Sequence, residues 1–280
     1  MSSSQSKLLN ISIVNYDTPS ATLLRAIYSA VTSVQKFDKC SAEAAFTVCI
    51  VDNATSNTLD LEDFSSLQPH LRSANCELRL IQGHGNTGYG HAHNLAFFSH
   101  SARYHLFMNP DVEVDHDALA VGIGYLEENP DVVIVSPRAI DGNGVKQYLC
   151  KRYPAVLDLY LRGLKSITSL ALMPNRLSRY EMRELSDLKP TKNVPIVSGC
   201  FMLCRTTAIV SIGGFDPSYF LYFEDFDLSV RAREKGSLAY IPKMRIKHLG
   251  GDAAGKGLKH ITYFCQSAIR FFNSHGWQWF

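Results

Sequence analysis

Short apolar runs that each end in a polar cluster, separated by stretches of helical spacing, constrain this chain most. Leu8–Val14, Ala45–Val51, Glu77–Ile81 and Tyr104–Met108 read as strands. Between them Leu23, Leu24, Ile27, Ala30, Val31 and Val34 make one helical stripe, and a second helix is expected over His93–His100. Such alternation without repeats predicts an α/β fold, a mostly parallel central sheet with helices on both faces. In these sheets the ligand crevice opens beyond the carboxyl ends of the strands. Asp17, Asp52, Asn86 and Asp111 all fall there. The pattern continues with a helix around Asp117–Glu128, a strand at Val132–Ser136, and a hairpin turn at Asp141-Gly-Asn-Gly144. Alternation resumes over Val194–Leu203, and a strand at Leu238–Ile241 precedes a last helix at about Lys259–Asn273.

Composition narrows the function. With 280 residues, 46% of them hydrophobic and 19% charged, the chain can bury a large core. A net charge of +2 excludes a global polyanion-binding role, so no nucleic-acid partner is expected. The seven cysteines contain no CxxC pair, and Cys200 and Cys204 have no ligand-spaced His or Cys beside them. Reduced, mostly buried thiols in a cytoplasmic protein are expected. Met1–Lys7 is polar and serine-rich, a tail and not a signal peptide. No uninterrupted run of 18 apolar residues exists to span a bilayer.

Two acidic clusters carry the chemistry. In Phe107-Met-Asn-Pro-Asp-Val-Glu113, Asp111 follows an apolar strand, where a carboxylate facing a diphosphate can bridge Mg2+ or Mn2+ to it. Alone, Asp111 also fits an Asx-Pro turn that caps the next helix. The second cluster, Glu224, Asp225 and Asp227, sits among aromatic side chains, an environment that carboxylates avoid unless stabilised or needed. It also reads as the acidic first turn of a helix. At about 100° per residue Asp225 and Asp227 point to nearly opposite sides, so they cannot share one role. Asp225 is assigned to the crevice as general base, and Glu224 or Asp227 to structure or to acceptor hydrogen bonds. His248, 23 positions after Asp225, lies in a loop that could supply a second ligand to the cation. His91 and His93 read as helix-start residues near a phosphate or sugar. The run Asn86-Thr-Gly-Tyr-Gly-His-Ala-His-Asn94 would let backbone approach a ligand closely. Asp52-Asn53 would suit a pyrimidine base, and equally a helix cap.

Taken in order, these pieces resemble the inverting family 2 glycosyltransferases of the GT-A fold, and among them the bacterial rhamnosyltransferases that use dTDP-L-rhamnose. The resemblance runs from Ile11 to about Phe272. It rests on Ile-Val-Asn15-Tyr, Val-Asp52-Asn53, Gly88-Tyr-Gly-His-x-x-Asn94, Asn109-Pro-Asp111 and Ser198-Gly-Cys-Phe-Met-Leu-Cys-Arg205. Most specific is Gly214-Phe-Asp-x-x-Tyr-Phe-x-Tyr-x-Glu-Asp225-x-Asp-Leu228, followed by Tyr240-x-Pro242 and His248. It implies that Asp111 and His248 hold the cation and that Asp225 is the base. Asn15, Asp17, Asp52, Asn53, Gly88, Asn94, Asn109 and Asp111 are expected at the nucleotide sugar, with Ser198, Gly199, Glu224 and Asp227 on the acceptor side. The usual metal motif of the family is Asp-x-Asp, whereas Asn109 holds its first position here. Ile196 stands where many relatives carry tryptophan.

The implied architecture is a single GT-A-type domain over 8–258 with a C-terminal helical extension at 259–280, after a disordered tail at 1–7. Residues 8–113 form its nucleotide-sugar half and 114–258 its acceptor half. The implied activity is transfer of L-rhamnose to a sugar hydroxyl of a lipid-linked or polysaccharide acceptor in lipopolysaccharide or cell-wall synthesis. Alternatives are a UDP-hexose donor or a non-catalytic sugar-nucleotide-binding protein. Residues 151–192 carry nine Lys or Arg against four Asp or Glu, interleaved with large apolar residues. Together with Tyr263–Phe280 they fit the surface of an anionic membrane, at the cytoplasmic face of an inner membrane. They equally fit packing on the domain or on a second copy in a homodimer. The ending Trp277-Gln-Trp-Phe280 reads as the interior of a longer chain.

Overall fold

The computed structural model describes residues 7–36, 45–55, 59–168, 174–250 and 258–280. Residues 1–6 of the serine-rich opening, Leu170 and Leu172 of the basic segment, and Gly251 lie outside the described residues. In chain order the elements are β1 (Lys7–Asn15), α1 (Ser20–Val34), β2 (Phe46–Asp52), a 3-10 turn (Leu61–Leu67) running into α2 (Gln68–Ser73), β3 (Cys76–Ile81), α3 (Tyr89–Ser99), β4 (Ala102–Met108) and β5 (Val112–Val114). There follow α4 (Ala118–Glu128), β6 (Val132–Ile140), β7 (Lys146–Gln147), β8 (Cys150–Lys151), α5 (Val156–Thr168), α6 (Pro174–Tyr180), β9 (Thr191–Lys192) and β10 (Ile196–Val197). The chain continues with β11 (Phe201–Arg205), α7 (Thr206–Ser211), α8 (Glu224–Ala232), β12 (Ser237–His248) and α9 (Leu258–His275).

The main sheet runs β3-β2-β1-β4-β11-β6-β12-β5, with β7 on β6, β9 on β12, and β10 paired separately with β8. The first four strands are parallel, as are β6 and β12. β11 is the reversed member between them. Alternate residues feed opposite faces, as a pleated strand requires. Leu9, Ile11 and Ile13 pack against Ile27 and Val31 of α1 and, with them, Leu119 and Leu126 of α4. On the other face Phe107, Met202 and Cys204 meet Phe97 of α3, Ile209 of α7 and Leu228 of α8. Apolar side chains on both faces are what a sheet covered twice needs.

Four boundaries differ from the sequence reading. Lys7, expected in the tail, opens β1, where its Nζ bonds Thr47 Oγ1 at 2.7 Å and Glu77 at 2.8 Å. α3 begins four residues early, because Gly88 at φ +86° turns the chain and Tyr89 N–H donates to Phe220 O at 3.0 Å. Val194–Leu203 is split by Ser198-Gly-Cys200 into β10 and β11. β12 runs on to His248, so that residue ends a strand and does not lie in a loop. Pro242 cannot donate to a ladder, and the strand absorbs it with a register shift between Ile241 and Arg245.

The C-terminal extension packs on the domain through one side. Phe271 and Phe272 of α9 are buried with Tyr219 and Phe223. Beyond α9 the backbone returns to α5, where Val156 N–H donates to Gln278 O at 2.8 Å. Tyr160, Ile269, Trp279 and Phe280 stay exposed on the outside. Among the described residues no helix is long and apolar enough to cross a membrane.

Candidate active site

The reversed strand assembles the site. Because β11 is antiparallel to β4, the segment entering it, Ser198-Gly-Cys200, lies beside the carboxyl end of β4. Asn109 N–H donates to Cys200 O there at 2.9 Å. From the other side the end of β12 pairs with β5, His248 opposite Val112. Leu249 N–H closes the junction on Asp111 O at 3.0 Å. Residues 109–111, 198–200 and 248–250 thereby converge at one end of the sheet.

His248 Nε2 lies 3.4 Å from Asp111 Oδ1, and its Nδ1 is 2.8 Å from Gln147 Oε1. The hydrogen-bond network fixes the tautomer. Gln147 Nε2 donates to two backbone carbonyls, His248 O at 3.2 Å and Gly250 O at 3.0 Å, so the amide oxygen must face the imidazole. Nδ1 therefore carries the proton, and Nε2 turns a lone pair toward Asp111. Gly250 packs so closely that a Cβ there would sit 2.1 Å from Asp111 Oδ2. The spacing of the two donor atoms is one that ligands of a single cation, with bonds of about 2.1 Å, can span. Among the described residues no group of three His, Cys, Asp or Glu forms. A hard cation held here would keep positions open for phosphate oxygens. The Asn109 side-chain amide bridges the pair to Tyr89, 2.9 Å from Tyr89 Oη and 3.4 Å from His248 Nε2.

Asp225 is the second residue of α8, and the helix starts directly after two residues in the left-handed region, Tyr222 (φ 69°) and Phe223 (φ 64°). Consecutive non-glycine residues there are costly and cluster at functional sites. The turn aims Asp225 at the Ser198-Gly199 break, where Gly199 N–H donates to Oδ2 at 2.8 Å and Phe226 N–H to Oδ1 at 2.9 Å. Burial raises the Asp225 carboxyl, while those two amides and the Arg162 guanidinium pull it down. Glu224 beside it is buried and its Oε2 has no hydrogen-bond partner. Burial first, and then the charge of Asp225, push Glu224 well above the carboxylate range. Two carboxyls so placed do not both ionise. Of the two, Glu224 is pushed further toward its neutral form, because the two amides favour the charged form of Asp225.

Tyr89 joins the two acids. Its one hydroxyl proton goes to Gly199 O at 2.7 Å, which can only accept, and the Asn109 side-chain amide lies 2.9 Å from the same oxygen. Burial raises this phenol well above its usual range, and Cys200, Glu224, Asp225 and Asp111 raise it further. A chain of short contacts thus runs from His248 and Asp111 through Asn109, Tyr89 and Gly199 to Asp225. Further along the same strand ends, Asp52 is fully buried. Its Oδ1 accepts from Asn15 Nδ2 at 3.0 Å and from Ala54 N–H at 3.3 Å, while Oδ2 has no partner. A cavity of about 420 Å³ opens instead at the amino ends of β1, β2 and β3, lined by Lys7, Phe46 and Glu77, and brings no acid pair together.

A family model described as Glycosyl transferase family 2 matches residues 11–213. The chain belongs to this family. The match takes in Tyr89, Asn109, Asp111 and Gly199; Asp225 and His248 lie past its end. The chain is 30% identical over 173 residues to the rhamnosyltransferase WbbL of Escherichia coli, covering 59% of this chain and 61% of that one. It is 37% identical over 71 residues to an N-acetylglucosaminyl-diphospho-decaprenol L-rhamnosyltransferase of Mycobacterium tuberculosis, covering 25% of this chain and 23% of the relative. The chain therefore spans less than two thirds of either relative. In fold it is similar to GalNAc-T7 solved with UDP, GalNAc and Mn2+, at TM-score 0.63 and 14% identity, covering 96% of this chain and 48% of that one. Staphylococcus aureus TarS 1-349 with UDP-GlcNAc gives TM-score 0.56 and 14% identity, covering 95% and 67%.

Within this family-2 fold several expected site residues also make contacts that hold the scaffold. Asn94 is buried and bonds both backbone groups of Phe215, at 2.7 and 3.0 Å, pinning the turn before α8. Gly88 is needed for that same segment, since a Cβ there would meet Phe220 O at 2.3 Å. Asn53 organises its neighbouring loop by bonding Asn86 Oδ1, Gly88 O and Thr87 N–H. Asp227 is buried against Arg231 at 2.6 Å and His275 at 2.8 Å, so it ties α8 to α9. His93 is a core residue, 2.7 Å from Ser12 Oγ and held well below the imidazole range by burial and by His105. Glu113 faces Arg25 at 3.1 Å, away from Asp111. Asp17 is exposed at φ 53°, and Ser198 is half-buried beside Gly199. Gln147 and Tyr89 escaped the sequence reading as site residues. The hairpin that carries Gln147 was legible, but nothing local marks its partner 101 residues away.

Proposed function

We propose that this chain transfers L-rhamnose from dTDP-L-rhamnose to a hydroxyl of a lipid-linked or polysaccharide acceptor with inversion at the anomeric carbon. One observation carries the reading: Asp225, held by two amides, is joined through Gly199, Tyr89 and Asn109 to an Asp111–His248 pair 3.4 Å apart. Asp225 takes the proton of the acceptor hydroxyl as that oxygen attacks from the face opposite the leaving diphosphate. Glu224, kept neutral, stands by as a donor to the acceptor. Asp52 accepts the imide N–H of the pyrimidine through its unpartnered Oδ2, with Asn15 holding its other oxygen. Asp111 and His248 would hold Mg2+ or Mn2+, which when bound offsets charge on the departing nucleoside diphosphate.

The rhamnosyl donor is favoured by the two bacterial rhamnosyltransferases the chain resembles, and the mycobacterial relative's name supports an acceptor sugar linked by a diphosphate to a lipid. The exposed Tyr160, Ile269, Trp279 and Phe280 beside the basic 151–192 segment support peripheral contact with an anionic membrane at its cytoplasmic face. A panel of nucleotide sugars tests the reading. dTDP-L-rhamnose should bind and turn over with a divalent cation, and UDP-hexoses should not; preference for a UDP-hexose would replace the donor assignment.

A further inference from the structure

Lys151 is a buried cation with no ion-pair partner among the described residues. It ends β8 opposite Ile196 of β10, the strand that leads directly into Ser198-Gly199 and so to Asp225. Its Nζ donates to the backbone oxygen of Tyr148, and among the described residues no carboxylate reaches it within 4 Å. Two buried acids do have such partners: Asp158 is bound by Arg176 and Asp227 by Arg231. A buried ammonium lacking an anion is unfavourable unless a ligand supplies one. Its neighbours deepen the imbalance. Burial, then the positive Arg162, lower Lys151 to about 8, with Arg183 adding to Arg162 and Glu181 opposing. Glu181 is already bound to Arg183 at 2.5 Å. Arg162, exposed on α5, makes no ion pair of its own among the described residues and lies close enough to Asp225 to draw its carboxyl down.

We propose that Lys151 and Arg162 form an anion subsite on the acceptor side of Asp225, and that it takes the phosphate or diphosphate through which the acceptor sugar is linked. The inference rests on Asp225 being the base of a glycosyl transfer and adds what kind of acceptor that base serves. A phosphoryl group seated beside Asp225 would hold the sugar hydroxyl within reach of the carboxylate. It would also supply the charge that Lys151 lacks.

The test is equilibrium binding by calorimetry, in EDTA and without donor. The probe is an N-acetylglucosaminyl diphosphate bearing a short soluble alkyl chain, compared with the same alkyl glycoside lacking the diphosphate. The wild type should bind the diphosphate at least tenfold more tightly, and Arg162→Gln and Lys151→Met should each narrow that preference to about threefold or less. Equal binding of both probes, or an undiminished preference in the soluble Arg162→Gln protein, overturns the proposal whether or not transfer is ever seen. Titration with dTDP and Mn2+ separates the donor site, and a loss there that matches the loss for the probe also overturns it. Sedimentation with phosphatidylglycerol vesicles separates a lipid headgroup as source: variants that lose vesicle binding but keep the soluble preference refute the subsite. Failure of every nucleotide sugar to turn over would instead refute the transferase reading, and the calorimetry would still report on the anion.

Discussion

Replacing Gln147 by leucine is the sharpest test of the proposed metal centre, because Gln147 would touch neither cation nor substrate. The substitution removes the acceptor at 2.8 Å from His248 Nδ1 and both donors to the backbone of residues 248 and 250. Without that acceptor neither tautomer is preferred, and the ring is free to turn Nε2 away from Asp111. Loss of a group orienting a ligand histidine lowers metal affinity by roughly 10- to 100-fold, or about 1.4–2.7 kcal/mol. That is the size expected from one or two net hydrogen bonds of about 1 kcal/mol each. The assay is Mn2+ affinity by electron paramagnetic resonance, with and without nucleoside diphosphate. Gln147→Glu is the control: it keeps an acceptor at Nδ1 while losing the two carbonyl contacts, so Mn2+ affinity should stay within about threefold of wild type. A leucine variant binding Mn2+ as tightly as wild type would show that His248 is no ligand, or that Gln147 does not set its orientation.

The other expectations concern the acids and the scaffold. Asp225→Asn should lower kcat by about 10²- to 10⁴-fold while dTDP binding measured by calorimetry is retained; comparable activity removes the base assignment. Since burial raises the Asp225 carboxyl, it is ionised only above an elevated pKa, and kcat/KM should fall as pH drops through that value. Glu224→Gln mimics the protonated acid and should leave this acid limb in place; a downward move of about one pH unit would mean that Glu224 is charged in the resting protein. Asp227→Ala leaves Arg231 without its carboxylate, though still bonded to Ile212 O and Gly214 O, and should cost about 3 kcal/mol in urea denaturation. An Asp227→Ala protein of unchanged stability but lost activity would return that residue to the chemistry.

The strand–helix alternation and the strand-end acids were legible because they obey local rules of period and turn. β11 was visible as an apolar run, but its reversal is a tertiary choice that no local pattern encodes. That reversal brings Gly199 to Asp225. Asn94 and Gly88 looked like ligand contacts because a glycine-rich turn beside a polar helix start serves phosphate binding and backbone packing alike. The packing role depends on Phe215 and Phe220, more than 120 residues on. The sequence places His248 in a loop, since Pro242 ends most strands and here is absorbed by a bulge. The 3.6-residue period separated Asp225 from Asp227, and the contacts of Asp227 with Arg231 and His275 give that separation its meaning.

The left-handed pair Tyr222–Phe223 connects these observations. Two adjacent non-glycine residues at positive φ oppose α8 unless the surroundings hold them. The surroundings do: Phe223 is buried with Phe271, Asp227 N–H bonds Phe223 O at 2.9 Å, and Asp227 itself is fixed by Arg231 and His275. Asp227 therefore belongs to the clamp that keeps its neighbour facing in. Without the clamp, α8 could begin in ordinary helical geometry and swing Asp225 off the Gly199 amide. Glycine at position 223 should relieve the strain and, by the same step, loosen the aim. Phe223→Gly should thus lose transferase activity by more than its change in stability explains, and activity tracking the folded fraction alone would show that the strain serves packing and not the base.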